Sequence, residues 1–523
     1  MGIRVQYKGY ELDFAAYPTG QQILASYEEL RNAVSSRINR AQNISIPVIS
    51  REGELPLSYI QEGLWLQEQL NPGSAAYTLP AAVRLSGHLD VAALERSLSE
   101  VVKRHESLRT SFPMVNGEPR QVISKPQAWA FPIKDFSMMS PPEQETAIRE
   151  HIESEVRKPF DLGKGPLLRS SLLKLGPQEH IAVLAVHHIV SDAWSMGILL
   201  RELATIYEAY SAGTESPLAE LPVQYADYAK WQRDRFTADV LERTKEFWKQ
   251  QLAGVSAFLD LPLDFPRPEK LSADGAHYFF HFPPELTQKL KELLKKENIT
   301  MFALLLAAFQ VLLAKFSSQQ EIVVGTPMAG RISVELEGLI GCFINIPPLR
   351  MRVAEHMEFI ELLRNVQNAA RRISAHQEVP FERIIEALGI PRHPAYTPVY
   401  QVLFDFVNTP PREARLSTLT MSPVSANTGA TKMDLLMDMW ESNGEITGHI
   451  EYRTALFKKE TIATLARGYE VLVAHIAAAP HTRISQLDTR TKEEKQQILA
   501  AQATREELNR RRFARVQPQA IEV

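Results

Sequence analysis

Cysteine is almost missing from this chain: Cys342 is the single one in 523 residues. A lone thiol excludes an internal disulfide framework and a cysteine-built zinc site, and it favours a reducing compartment, the cytoplasm. Excess charge of one sign is missing too. Lys and Arg number 58 against 62 Asp and Glu, a formal net charge of -4, so no bulk positive field draws the chain to nucleic acid. The N-terminus has no basic-then-apolar signal segment. The longest apolar run, residues 301–316, is interrupted by Gln310 and Lys315 and is too short for an ordinary membrane span. It reads as a buried core helix capped by Thr300. Glycine, at 24, is outnumbered by proline at 33, which suggests linkers and stiff loops. No repeat at solenoid spacing is visible. What is present is core material. A hydrophobic fraction of 45% with 8% aromatics suits a globular protein, and the length corresponds to roughly three or four average domains, or one large two-lobed fold with appendages.

Read in order, the chain opens on a β-hairpin. Ile3, Val5 and Tyr7 alternate with polar residues, Lys8-Gly9 offers the turn, and Tyr10, Leu12 and Phe14 alternate again. Residues 21–40 place Ile23, Tyr27, Leu30, Val34 and Ile38 on one helical stripe, which must cover the hairpin because a lone hairpin is marginal. A polar linker follows, and the main body starts near Leu55. An amphipathic helix begins at Asp90. Residues 181–186 are continuously apolar, the pattern of a strand buried on both faces, and a helix at 193–210 ends before Gly213. Pro262, Pro266 and Pro268 exclude regular structure at 259–275, where we place the joint between two lobes. Beyond it come helices at 283–296 and from 301, a strand at 321–325, then mixed elements to about 499. The tail carries Arg505, Arg510, Arg511, Arg512 and Arg515 and reads as a solvated linker.

The residues most suggestive of chemistry are His187-His188-Ile189-Val190-Ser191-Asp192, at the C-terminal end of the buried strand, where loops leave a sheet and polar side chains meet. Neighbouring strand residues face opposite ways, so the two histidines have different jobs. One imidazole faces a cavity and handles a proton or an amine; the other is tied into the core. Asp192 can cap the next helix, hold an imidazole tautomer or pair with an arginine. On spacing alone a purely structural histidine pair fits as well. A metal site lacks a third ligand nearby, and neither Ser191 nor Ser195 sits in a Gly-x-Ser-x-Gly elbow; Ser191 reads as a cap and Ser195 as helix surface or packing. Residues 325–331 (GTPMAGR) follow a strand but lack the Gly-Lys-Ser end of a phosphate loop. Arg331 is a charge partner for a buried carboxylate.

HHIVSDAWS from His187 resembles the HHxxxDG motif of the condensation domains of non-ribosomal peptide synthetases. The remaining motifs of that family follow in order: LPLSYIQEGLWL from Leu55, RHESLRTSF from Arg104, YADYAKW from Tyr225, IGCFINIPPLR from Ile340, HQEVPFERI from His376 and TPVYQVLFDF from Thr397. The resemblance implies an α/β (α+β) fold, a V-shaped pseudo-dimer of two chloramphenicol-acetyltransferase-like lobes (55–258 and 259–500) with a tunnel between them, preceded by a docking domain (1–45, hairpin plus helix) and a linker (46–54), and followed by a basic linker (501–523). It implies amide-bond formation between a carrier-bound acyl or peptidyl thioester and a carrier-bound aminoacyl acceptor, with upstream and downstream peptidyl carrier proteins as partners. By the same resemblance His188 is catalytic, His187 and Asp192 are mainly structural, Asp192 pairs with Arg331, and Arg104 and Arg109 support the site. No cofactor or metal is bound by the chain itself, because substrates arrive on the carriers' phosphopantetheine arms.

Three departures from the family pattern stand out: Ala193 replaces the usual Gly, Thr397 stands where Asn often precedes Pro, and Ile346-Pro347-Pro348 replaces a Thr-containing continuation. The hairpin is similar to small docking domains that accept the C-terminal peptide of an upstream synthetase as an added strand. Secondary-metabolite or antibiotic assembly is the implied setting, with neither nucleic acid nor membrane as partner. Two rival readings are a starter domain that takes a fatty acyl-CoA and a non-catalytic recruitment platform.

Overall fold

The computed structural model describes residues 3–7, 10–14 and 45–496, apart from 71, 256–257, 271, 378, 394, 408–413, 425–428, 443, 492–493 and 495. The expected helix at 21–40, the Lys8-Gly9 turn and the basic tail lie outside the described residues. The hairpin strands are β1 (Ile3–Tyr7) and β2 (Tyr10–Phe14), antiparallel with Ile3 opposite Phe14. Residues 46–54, expected to be a linker, are laid onto the body: Ile46 is buried, and Arg51 grips Asp227 with both terminal nitrogens, at 2.6 and 2.9 Å.

The first half contains α1 (Tyr59–Leu70), β3 (Thr78–Gly87), α2 (Val91–Arg104), β4 (Ile133–Asp135), α3 (Pro141–Arg157), β5 (Leu168–Gly176), β6 (Glu179–His187), α4 (Ala193–Ser211), α5 (Tyr225–Arg235) and α6 (Ala238–Leu252). Local chemistry sets the helix starts. Asp90 accepts from the Ala93 N–H at 2.9 Å to begin α2, and Ser140 with Glu143 forms a capping box ahead of α3. Every residue from His180 to the end of β6 is buried, which accounts for its unbroken apolar run. α2 and α4 pack together against this sheet through Leu94, Leu98, Val101, Ile198, Leu203 and Ile206. Each such aliphatic side chain contributes about 1.5–3 kcal/mol by leaving water.

The second half contains β7 (Gly275–Phe282), α7 (Pro284–Glu297), α8 (Met301–Ser317), β8 (Glu321–Gly325), β9 (Pro348–Arg352), α9 (Phe359–Ser374), α10 (Phe381–Ala387), β10 (Val402–Val407), β11 (Ala414–Arg415), β12 (Leu419–Val424), β13 (Leu435–Ser442), β14 (Glu445–Arg453) and α11 (Lys459–Ala478). The apolar run is α8, capped by the Thr300 hydroxyl accepting from the Ala303 N–H at 3.2 Å. Its residues 303–313 are all buried, in contact with α9 and α11. Among the described residues no single helix is long and apolar enough to cross a membrane.

Each half builds a six-stranded sheet, ordered β11-β12-β3-β6-β5-β4 and β7-β14-β13-β10-β8-β9. The mixed α/β, two-lobed architecture expected from the sequence is the one observed. Two exchanges between the lobes were not legible in it. β11 and β12 come from the second half but extend the first sheet, with Leu419 opposite Gly87 on β3, so an edge that would otherwise bare its N–H and C=O groups is paired. Trp248 of α6 precedes the proline-rich joint yet is buried in the second lobe's core against Phe381.

Candidate active site

β6 stops at His187 because a tight 3-10 turn, His188–Val190, takes over the backbone. The turn is held from below by α1, where the Gln61 amide donates to the Ile189 carbonyl at 3.3 Å. Asp192 then starts α4, its Oδ1 accepting from the Ser195 N–H at 2.8 Å. The four side chains His187, His188, Ser191 and Asp192 are all buried.

The two histidines have separate surroundings, and the break between strand and 3-10 turn, not alternation along a continuing strand, separates them. Nδ1 of His187 accepts from the Ile189 N–H at 3.1 Å, which puts its proton on Nε2, 4.0 Å from Glu68. Phe160 meets this ring edge-on at 5.8 Å. Burial, then the positive charges of Lys432 and Arg169, push His187 down to about 3. Nδ1 of His188 lies 3.5 Å from the Cys342 sulfur. Burial first and Lys432 second hold its imidazole well below the usual histidine range, so it is neutral at physiological pH. Cys342 is no nucleophile, because burial pushes its thiol far up.

Asp192 ties the lobes together. Its Oδ1 receives Arg331 at 3.3 Å and its Oδ2 receives the Phe343 N–H at 3.0 Å. Arg331 also donates to Ser195 Oγ at 2.8 Å and to the Leu339 carbonyl at 2.8 Å, and it lies over the Phe343 ring. The expected Asp192 and Arg331 pair is therefore present in the geometry, and of the roles open to Asp192 the cap and the arginine partner are both filled, with no imidazole contact. Ser195, read as helix surface or packing, is instead a fully buried node: it donates to the Gly341 carbonyl at 2.8 Å and accepts from the Gly341 N–H at 3.1 Å. Only glycine fits at 341, since a Cβ there would collide with the Tyr225 ring. Gly330 is equally constrained, with φ +62 and the Phe343 carbonyl where a Cβ would sit.

Ala193 is exposed at the first position of α4, so its methyl adds nothing to the buried network. Arg104 and Arg109 do not join the histidines. Arg104 pairs with Glu202 at 3.3 Å, Glu202 also receives His105 at 2.8 Å, and Arg109 faces Glu106 at 3.7 Å. They brace the turn after α2, from which Ser107 donates to the Ile340 carbonyl of the opposite lobe at 2.6 Å. Thr397 contacts the Met433 sulfur at 3.8 Å, and the Ile346 carbonyl accepts from Tyr400 at 2.8 Å. Among the described residues no group of three His, Cys, Asp or Glu side chains converges as a metal site. Sequence reasoning missed Tyr225, whose hydroxyl bridges Ser58 (2.9 Å) and the Cys342 carbonyl, and it missed Lys432. Tyr225 sits inside a quoted motif; Lys432 gave no signal of its own.

A condensation-domain family model matches residues 51–499. A linear gramicidin synthase protein of Brevibacillus parabrevis is 40% identical over 462 residues, 88% of this chain and 9% of that protein. Bacitracin synthase 2 of Bacillus licheniformis is 34% identical over 483 residues, 92% of this chain and 18% of that protein. The chain thus spans a small part of these relatives. Among solved structures, the X-domain in its complex with OxyB from teicoplanin biosynthesis is 29% identical with a TM-score of 0.77, covering 86% of this chain and 99% of that one. A four-domain nonribosomal peptide synthetase bound to AMP and glycine shares the fold with a TM-score of 0.77 at 24% identity, over 86% of this chain and 34% of that one. With the ordered motifs, the doubled sheet and these matches in agreement, the chain belongs to the condensation-domain family, the amide-forming acyltransferase unit of non-ribosomal peptide synthetases.

Proposed function

We propose that the chain condenses a carrier-bound acyl or peptidyl thioester with the amine of a carrier-bound aminoacyl group, and that His188 is the residue that meets the amine. The observation that carries this reading is a neutral imidazole at the end of β6, on the line where the lobes meet through Asp192 and Arg331. A neutral ring accepts a hydrogen bond from an incoming N–H. Its depressed basicity suits orienting the amine, with a proton moving only as the C–N bond forms. Holding both thioesters between two lobes supplies the larger advantage, because fixed proximity replaces a bimolecular encounter.

In this reading His187 and Asp192 shape the turn, Arg331 and Ser195 lock the lobes, and Arg104 and Arg109 brace them from α2. Ala193 leaves the helix start intact. The chain binds no cofactor of its own, and its substrates arrive on phosphopantetheine arms of upstream and downstream carrier proteins in the cytoplasm. The β1/β2 hairpin pairs only with itself among the described residues, which supports it as an edge to which an upstream synthetase's C-terminal peptide adds a strand.

The test is intact-protein mass spectrometry of an acceptor carrier loaded with an aminoacyl group, mixed with the full chain and either a loaded donor carrier or an acyl-CoA. Amide product from the donor carrier, lost in His188→Ala, supports the reading. Product from acyl-CoA alone makes it a starter domain, and no product from any donor with tight carrier binding makes it a recruitment platform.

A further inference from the structure

Amide formation from a thioester places negative charge on the carbonyl oxygen, and the surroundings of His188 offer few groups to receive it. The N–H groups of Ile189, Ser191, Ser195, Gly341 and Phe343 all donate within the protein, to His187, the His188 carbonyl, Asp192, Ser195 and Asp192 respectively. Arg331 is spent on Asp192, Ser195 and the carbonyls of Leu336 and Leu339.

One cation whose charge acts on the histidines is not spent in this way. Lys432 stands just ahead of β13, in a stretch pinned at both ends: the Thr431 N–H donates to the Ala273 carbonyl at 2.7 Å, and the Asp434 N–H to the Gln401 carbonyl at 3.0 Å. From the second lobe its Nζ reaches across to the first, 4.9 Å from the centre of the Tyr77 ring. Tyr77 immediately precedes Thr78, the residue opposite His187 in the pairing of β3 with β6. The strongest charge acting on each motif histidine is that of Lys432. Among the described residues no carboxylate lies within ion-pairing distance of its Nζ. Glu451 and Cys342 act on it from farther away, and burial pulls the ammonium down to about 8.

We propose that Lys432 is a further catalytic residue, its ammonium facing the donor carbonyl and stabilising the oxyanion that forms beside His188. The acceptor nitrogen attacks the carbonyl carbon, a C–N bond forms, and the C=O electron pair moves onto oxygen next to Nζ. Return of that pair breaks the C–S bond. The pantetheine thiolate leaves, and the proton shed by nitrogen ends on that sulfur. Lys432 lends charge throughout and keeps its own proton. An unpaired cation in a partly desolvated wall is costly at rest; an oxygen gaining negative charge in the transition state supplies its partner.

The inference rests on the condensation reading, and single-turnover assays of the full chain with loaded carriers separate the two. Lys432→Met should lower the rate at saturating carrier about 100-fold, with carrier KM unchanged and the melting temperature not lowered. Lys432→Arg should restore most of that loss. Tyr77→Leu, which removes the ring under the ammonium and leaves the charge, should cost only a few-fold. The pH profile gives an independent readout. Tyr77 lies under the ammonium, and the titratable groups whose charge couples to it are His187 and His188 from the first lobe and Cys342 and Glu451 from the second. The wild-type rate should fall as pH rises through about 8 while the Arg variant holds its rate. A Lys432→Met rate within about threefold of wild type overturns the proposal, as does an Arg variant as slow as the Met variant. Either result beside an inactive His188→Ala leaves the condensation reading standing, whereas an active His188→Ala sinks that reading itself.

Discussion

The strand, link and helix that carry the histidines occur twice in this molecule, and the copies differ in what fills the link. In the first lobe the nine-residue β6 runs through residues 188–192 into the nineteen-residue α4. In the second the nine-residue β14 runs through residues 454–458, a link of the same length, into the twenty-residue α11. The first link buries the polar His188, Ser191 and Asp192, and its partners Arg331 and Phe343 come from the other lobe. The second buries Leu456 and Phe457 and is satisfied at home. Arg453 faces Asp434 at 3.8 Å, Arg267 holds the same carboxylate, and the Lys458 N–H donates to Asp264 at 2.8 Å. One backbone unit therefore buries polar groups where the opposite lobe closes on it, and apolar ones where it does not.

The largest effect should come from cutting the cross-lobe partner. Asp192→Ala leaves Arg331 buried without a carboxylate, and a destabilisation of about 3–5 kcal/mol in urea unfolding should accompany loss of amide formation. The counterpart change, Arg453→Ala, leaves Asp434 still held by Arg267. It should cost about 1–3 kcal/mol while the folded fraction keeps its per-molecule rate. Equal loss of rate in both variants would break the contrast.

Next in size is an acid limb. His187 titrates near 6.5 when unfolded and is depressed to about 3 when folded, so between those values the unfolded chain binds the extra proton. Stability from this group is complete above about pH 6.5 and should be lost as pH falls toward 3, at about 1.4 kcal/mol per unit. His187→Asn keeps an acceptor for the Ile189 N–H and should flatten the limb in unfolding curves taken at stepped pH.

A smaller loss, about 1–3 kcal/mol, is expected for Ser195→Ala, which strips the hydroxyl from both Gly341 and Arg331. Calorimetry on the purified variant checks it, and an unchanged melting temperature would remove Ser195 from the bridge. A pH effect of the opposite sign lies in the second lobe. Burial, then Asp405 opposite it on β10, raises Asp438 to about 8, so the folded state holds a proton that the unfolded chain has released. That group's stability is lost as pH rises toward 8. Asp438→Asn should therefore stabilise the protein at pH 8 and much less at pH 4.

Much of the fold was legible because its elements carry their own signals. The apolar run of β6, the stripe and Asp90 cap of α2, the Thr300 cap of α8 and the prolines at 259–275 each report a local requirement. The candidate site was legible where one segment contains it: His187, His188 and Asp192 lie within six residues, and different surroundings for the two rings were expected from their adjacency at a strand end. Ser195 was read only as helix surface or packing because its partners, Gly341 and Arg331, are far away in sequence. The crossing of β11 and β12 was hidden for the same reason, since a strand's own residues do not name the edge they will pair.

By itself the sequence determined the histidine turn, the capping of its helices, the apolar faces that demand two cores and the ordered motifs of the family, all of them set by neighbours within a few residues. Only the tertiary structure decided that Asp192 faces Arg331, that Gly341 must admit Tyr225, and that Lys432 reaches from one lobe to the Tyr77 ring of the other. Those contacts depend on how two separately stabilised sheets meet, and burial at that meeting sets whether a given side chain there is neutral or charged.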